Sequence, residues 1–135
     1  MLAATIMVAV MSVFTACNKD KDDDGGSSSK IVGTWVGADI EDPTDTYTII
    51  LKNDGTGSGI NEWTNDYGKQ RIIYEITYIE VTENLGKIIF KWYDEYYKKD
   101  ETETCQYEIK GNTMLLSGYD EYTKKDVVWC KLTKK

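Results

Sequence analysis

Period-two alternation, recurring from residue 31 to the end and broken at short intervals by turn residues, limits this chain to a β fold. Tyr47, Ile49 and Leu51 alternate with Thr46, Thr48 and Lys52, and Ile88, Phe90 and Trp92 fall opposite Lys91. Cys105, Tyr107 and Ile109, then Met114, Leu116 and Gly118, share one face on either side of Lys110-Gly111-Asn112. No long stretch there has a helical apolar period. The pattern predicts eight strands, at 31–38, 45–52, 57–64, 70–82, 87–93, 102–109, 113–119 and 126–132, the fourth bent or bulged. Ten Tyr, four Trp and a single Pro agree with that reading.

The connections sort by length. Asn53-Asp54-Gly55-Thr56, Glu83-Asn84-Leu85-Gly86 and Lys110-Gly111-Asn112 are short and carry glycine, and in an up-and-down meander all three lie at one end. The other end receives Asp39–Thr44, Asn65–Lys69, Asp94–Glu101 and Asp120–Lys125, which read as longer loops. The expected fold class is all-β: an eight-stranded antiparallel up-and-down barrel with one tightly stitched end and one loop-rimmed mouth. Bulky inward-facing residues in so short a domain predict a largely filled interior beneath a shallow mouth.

The front of the chain differs in kind. An apolar run from Leu2 to Phe14 leads to Thr15-Ala16-Cys17 and then to Asn18-Lys19-Asp20-Lys21-Asp22-Asp23-Asp24. The run is too short to span a bilayer as a stable helix, and small residues before a cysteine that opens a charged tail fit a cleaved secretory leader. It resembles the leader of a bacterial lipoprotein, with Phe14-Thr15-Ala16-Cys17 as lipobox and Cys17 as the lipid attachment site. That resemblance implies anchoring in the outer membrane by acyl chains that bury many methylenes. No Lys or Arg precedes Lys19, so the start of such a leader is expected upstream. Residues 1–16 thus read as signal peptide, 17–30 as lipidated cysteine and acidic Gly/Ser linker, and 31–135 as one domain. The acidic residues after Cys17 resemble the surface-export signal of lipoproteins in one group of Gram-negative bacteria, which implies exposure at the cell surface; the periplasmic face is the alternative.

Asp20, Asp22, Asp24 and Gly25 also reproduce the opening of an EF-hand calcium loop. The twelfth position, which needs a bidentate carboxylate, is Ile31, so no metal is expected there.

Within the domain, Gly33-Thr34-Trp35, the turn Leu51-Lys52-Asn53-Asp54-Gly55-Thr56-Gly57 and the run Tyr107-Glu108-Ile109-Lys110-Gly111-Asn112-Thr113-Met114-Leu115-Leu116 resemble the lipocalin-like domains of bacterial lipoproteins. The resemblance implies that Gly33 and Trp35 form the barrel-closing motif, with the Trp35 indole packed across the closed end against a cation from the last strand. Arg71 is the chain's one arginine and lies elsewhere, which leaves Lys131 or Lys134 for that role.

One segment recurs. Tyr93-Asp94-Glu95-Tyr96-Tyr97-Lys98-Lys99-Asp100 returns as Tyr119-Asp120-Glu121-Tyr122-Thr123-Lys124-Lys125-Asp126, differing only at Tyr97 and Thr123. The meander places the two at the same end, which makes Tyr93, Asp94, Tyr96, Tyr97, Tyr119, Asp120 and Tyr122 the candidate ligand-binding residues. Ring faces stack on sugars and carboxylates accept hydroxyl protons, so a small polar ligand or glycan suits such a patch, as does a partner protein. Alternatively the repeat is a duplicated hairpin whose charges keep its loops solvated.

Other functions are disfavoured by composition. The chain has no His, which removes the commonest general base, Ser-His and Cys-His nucleophiles and most zinc sites. A carboxylate-pair hydrolase needs only acids at the right separation, but no convergent constellation stands out, so no enzyme and no cofactor are expected. A net charge of −7 disfavours nucleic acid and anionic lipid as partners, leaving the N-terminal lipid as the membrane contact. Cys105 and Cys130 sit on strands with another strand between them, about 9 to 10 Å apart, beyond disulfide reach, and are expected to be buried free thiols. The overall expectation is a lipid-anchored, non-enzymatic binding module, or else a structural or protein-interaction lipoprotein with a filled barrel.

Overall fold

The computed structural model describes residues 29–135; the leader, Cys17 and most of the acidic linker lie outside the described residues. Eight strands follow one another with no helix among them: β1 (Gly33–Asp39), β2 (Thr46–Leu51), β3 (Thr56–Asn65), β4 (Gly68–Glu80), β5 (Leu85–Asp94), β6 (Lys99–Lys110), β7 (Thr113–Asp120) and β8 (Lys125–Lys134). Each pairs antiparallel with its sequence neighbours, and β1 pairs with β8, so the sheet closes on itself. Alternation explains the closure. β2 is exposed and buried residue by residue, and its inward set Tyr47, Ile49 and Leu51 can only be covered from across a curved sheet. Closing the ring also leaves no unpaired strand at either edge of the sheet.

The core collects Ile49, Leu51, Ile76, Ile88, Tyr107, Met114, Leu116 and Leu132, each essentially inaccessible to solvent. Cys105 and Cys130 are buried among them as free thiols. Where β1 meets β8 the backbones approach so closely that a β-carbon on Gly37 would stand 1.9 Å from the Lys131 carbonyl oxygen.

One end is sealed by the entering chain. Ile31 is fully buried under the barrel, and the indole N–H of Trp35, itself fully buried, donates to the Ile31 carbonyl at 2.8 Å. Lys134 lies over the Trp35 ring at 5.4 Å from its centroid and donates to the Lys30 carbonyl at 2.9 Å. Of the two lysines considered from sequence, Lys134 is therefore the one at the indole. Gly33 starts β1 with a φ of 136°, a conformation open to glycine.

Two expectations need correction. The long fourth strand is not bulged: β4 keeps an unbroken register with β3 from Gly68 to Thr77 and with β5 from Glu75 to Glu80. The irregularity lies between β7 and β8, where Leu116 faces Cys130 but Ser117 faces Val128, leaving Trp129 as the extra residue. The contrast in loop length is also mostly absent. Strands extend into the segments read as loops, so β3–β4 turns through Asp66-Tyr67, and β5–β6 and β7–β8 turn through four residues each. Only the β1–β2 connection, Ile40–Asp45, keeps its expected length.

Those extensions change the shape of the open end. β6 pairs with β5 along its length, from Glu108 up to Lys99, but with β7 only from Lys110 to Gln106. Likewise β4 pairs with β5 only from Glu75 downward, while its upper part, Gly68–Tyr74, stays with β3. The barrel is thus continuous below and divides above into three two-stranded arms, β3–β4, β5–β6 and β7–β8.

Candidate functional site at the open end

The repeated segment forms the tips of the second and third arms, and its recurrence has a local cause. Asp94 Oδ1 accepts from the backbone N–H groups of Tyr96 and Tyr97 at 2.9 and 3.1 Å; Asp120 Oδ1 accepts from those of Tyr122 and Thr123 at 2.8 and 3.5 Å. Each turn then closes through a lysine in the left-handed region, Lys98 at φ 55° and Lys124 at φ 60°. The shared Asp and Lys are turn chemistry; the shared tyrosines are not required by the turn. Lys98→Gly and Lys124→Gly are each expected to stabilise the fold by about 0.5 kcal/mol, the left-handed penalty less the added chain entropy of glycine. Lys125→Gly, one residue into β8, should destabilise instead; urea midpoints of the three variants check both signs.

All six exposed tyrosines belong to this end. Tyr67 tips the β3–β4 arm, Tyr93, Tyr96 and Tyr97 stand on the β5–β6 arm, and Tyr119 and Tyr122 on the β7–β8 arm, while the other four tyrosines are buried. Tyr96 and Tyr97 pack edge to face with centroids 4.9 Å apart, and Lys99 approaches the Tyr97 ring at 5.9 Å. Tyr67 was missed from sequence because it lies outside the repeat.

Beneath the tips lies a second set of rings, of which the sequence pattern placed only Trp92, on the face of Ile88 and Phe90. Trp63, Trp92 and Trp129, all half-buried, share the inward faces of β3, β5 and β8. Trp92 meets Tyr74 edge-on at 5.5 Å, Tyr74 meets Phe90 at 5.2 Å, and Trp129 meets Tyr47 at 5.5 Å. Inward parity continued from Asn61 would have found Trp63 as well. The bulge hides the third, since Trp129 packs on the core although its neighbour Cys130 already points inward.

Carboxylates border these rings. Burial raises the Tyr47 hydroxyl well above its ordinary range, and Asp45 and Asp39 push it further; burial and then Glu103 and Asp45 do the same to Tyr74. Asp45 is fixed by Asn61, the one buried polar residue among the described residues, whose Nδ2 donates to Asp45 Oδ1 at 2.5 Å and to the Thr46 carbonyl at 3.0 Å. Among the described residues no three His, Cys, Asp or Glu side chains are grouped as metal ligands.

Where the second and third arms part, a cleft of about 550 Å³ opens. Glu103 of β6 forms one wall with Thr104; Tyr119, Asp120, Glu121 and Tyr122 form the other, and Trp129 lies at its base. Of the candidate residues named from sequence, the structure brings Tyr119, Asp120 and Tyr122 together on this cleft. Tyr93, Asp94, Tyr96 and Tyr97 sit on the opposite arm and do not line it. The indole N–H of Trp129 is buried without a hydrogen-bond partner, with only the weakly accepting Cys105 sulfur nearby.

Comparison with protein-family models, with curated proteins and with solved structures yields no match to this chain. The closed eight-stranded antiparallel barrel is compatible with a lipocalin-like fold, and the function has to be argued from the site.

Proposed function

We propose that this chain is a lipid-anchored protein of the cell envelope whose lipocalin-like barrel binds a small polar ligand or glycan at its open end, without catalysis. The observation that carries the reading is the partition of tyrosine: every exposed one stands on the three arms, above the half-buried Trp63, Trp92 and Trp129. Solvent-exposed rings cost solubility and contribute little to folding, so their confinement to one end favours recognition there. The attachment geometry supports the same end. The chain enters at Ile31 and leaves at Lys134, both at the sealed end, so a lipid on Cys17 holds that end towards the membrane and turns the arms outward. The leader-like sequence through Cys17 and the Gly33, Trp35 and Lys134 closure support the lipoprotein and lipocalin-like parts of the reading.

A second reading, a structural or protein-interaction lipoprotein with no small ligand, draws on the hydrophobic side chains that every strand but β3 buries in the barrel. In that case the arms meet a partner protein.

A thermal-shift series on the full chain separates the two. A panel of sugars and glycans is expected to contain at least one that raises Tm by several degrees, as mass action requires of a ligand well above its Kd. Tyr96→Ala with Tyr122→Ala should abolish that rise. No shift with any compound, or a shift that survives the double replacement, overturns the reading.

A further inference from the structure

The structure assigns a ligand class to the cleft between the second and third arms: we infer that it takes an amino sugar, with the protonated amine between Glu103 and Glu121 and the sugar ring against Tyr119 and Tyr122. This rests on the binding function proposed above and narrows it to one site and one chemistry.

Charge is the first ground. Glu103, Asp120 and Glu121 line the cleft, and no Lys or Arg does. The neighbouring acids are already compensated, since Asp100 pairs with Lys91 at 4.0 Å and Glu101 with Lys99 at 3.7 Å. Among the described residues no ion pair reaches Glu103, Asp120 or Glu121. Asp120 is committed to its turn through Oδ1, which leaves Glu103 on one arm and Glu121 on the other as lining carboxylates with no ion-pair partner among the described residues. Glu103 also stands near the buried Tyr74 and Cys105, and its charge acts on both. An arriving ammonium gains charge-assisted hydrogen bonds from both carboxylates and meets no competing cation.

Ring faces are the second ground. Tyr122 and Tyr119 are 96% and 60% exposed, so their faces are open to a ligand, and an aromatic face attracts an ammonium as well as the C–H face of a sugar. Volume is the third. About 550 Å³ lies within the range of small-molecule sites and is open above, which suits a short oligosaccharide. A neutral sugar would leave both glutamates uncompensated, and an anionic one would be repelled.

The test is calorimetric titration of the full chain with a glucosamine tetramer, its N-acetylated counterpart and a neutral glucose tetramer, at a pH where the amine is protonated, with a lysine-rich peptide as a fourth arm. The glucosamine tetramer is expected to bind at least tenfold more tightly than the other two sugars. Glu103→Gln with Glu121→Gln should weaken it roughly fivefold or more while leaving Tm in the absence of ligand unchanged. Equal binding of the acetylated or glucose tetramer, untouched by the two replacements, overturns the amine assignment while the glycan reading stands. Glutamate-dependent binding of the peptide alone overturns it in favour of a protein partner. No binding in any arm overturns this inference alone, while the proposed function is decided by the glycan panel and its Tyr96→Ala with Tyr122→Ala control.

Discussion

Replacing Trp35 with alanine is expected to destabilise the barrel by about 3 to 5 kcal/mol, a large part of the roughly 5 to 15 kcal/mol available to a domain of this kind. The indole is fully buried and does three things at the sealed end. It fills the space beneath the core, its N–H satisfies the carbonyl of the equally buried Ile31, and its ring carries the Lys134 ammonium that in turn holds the Lys30 carbonyl. Removing it leaves a cavity and frees the segment that plugs the barrel. Trp35→Phe keeps most of the apolar volume and loses the donor, so its cost should be about 1 to 3 kcal/mol, the range for an orphaned buried acceptor. Lys134→Ala, which loses only the cation over the ring, should cost less than about 1 kcal/mol. Urea unfolding of the three variants gives the order directly, and a cost below about 1 kcal/mol for Trp35→Ala would sink this account of closure.

That end of the molecule was the more legible one in the sequence. Gly33, Trp35 and the cation from the last strand are fixed by closure itself, and the alternation of Tyr47, Ile49 and Leu51 or of Cys105, Tyr107 and Ile109 leaves each strand one workable face. The open end was harder to read for a physical reason. Gly68, Lys69 and Gln70, and again Lys99 to Glu101, belong to strands that rise above the core, so neither face is buried and no hydrophobic period marks them. Their pairing is set instead by the turns, where Asn65 accepts from the Tyr67 N–H at 2.8 Å as Asp94 and Asp120 do in the other arms. Sequence spacing brought the two repeats to one end but could not place a cleft between them. Nor could it supply Glu103, which lies between a paired neighbour and a buried cysteine and belongs to neither repeat.

The same closure has an alkaline limit, and its expected effect is the largest of all. Burial pushes the thiols of Cys105 and Cys130 up to about 12, with Glu103 adding to the first and Asp39 and Asp45 to the second. Burial also raises the hydroxyls of Tyr47, Tyr74 and Tyr107, and the carboxylates near them act in the same direction. All five groups are held neutral in the folded barrel, while in the unfolded chain the thiols ionise near pH 9. Because the folded pKa is the higher one, their contribution is complete below about pH 9 and is lost as pH rises towards 12. Each thiol removes about 1.4 kcal/mol per pH unit in that window, so the pair alone costs roughly 5 kcal/mol by pH 11, with the tyrosines adding to it above about pH 10. The barrel should therefore unfold cooperatively between about pH 10 and 12, with thiolate absorbance and loss of tertiary signal appearing together. At about pH 8 neither thiol should react with an alkylating agent until denaturant is added. Cys105→Ala with Cys130→Ala lowers the starting stability but should flatten the decline above pH 9. Thiolate formation in a barrel that stays folded, or stability that is level from pH 9 to 11, would show that these groups are not sealed from water as their burial requires.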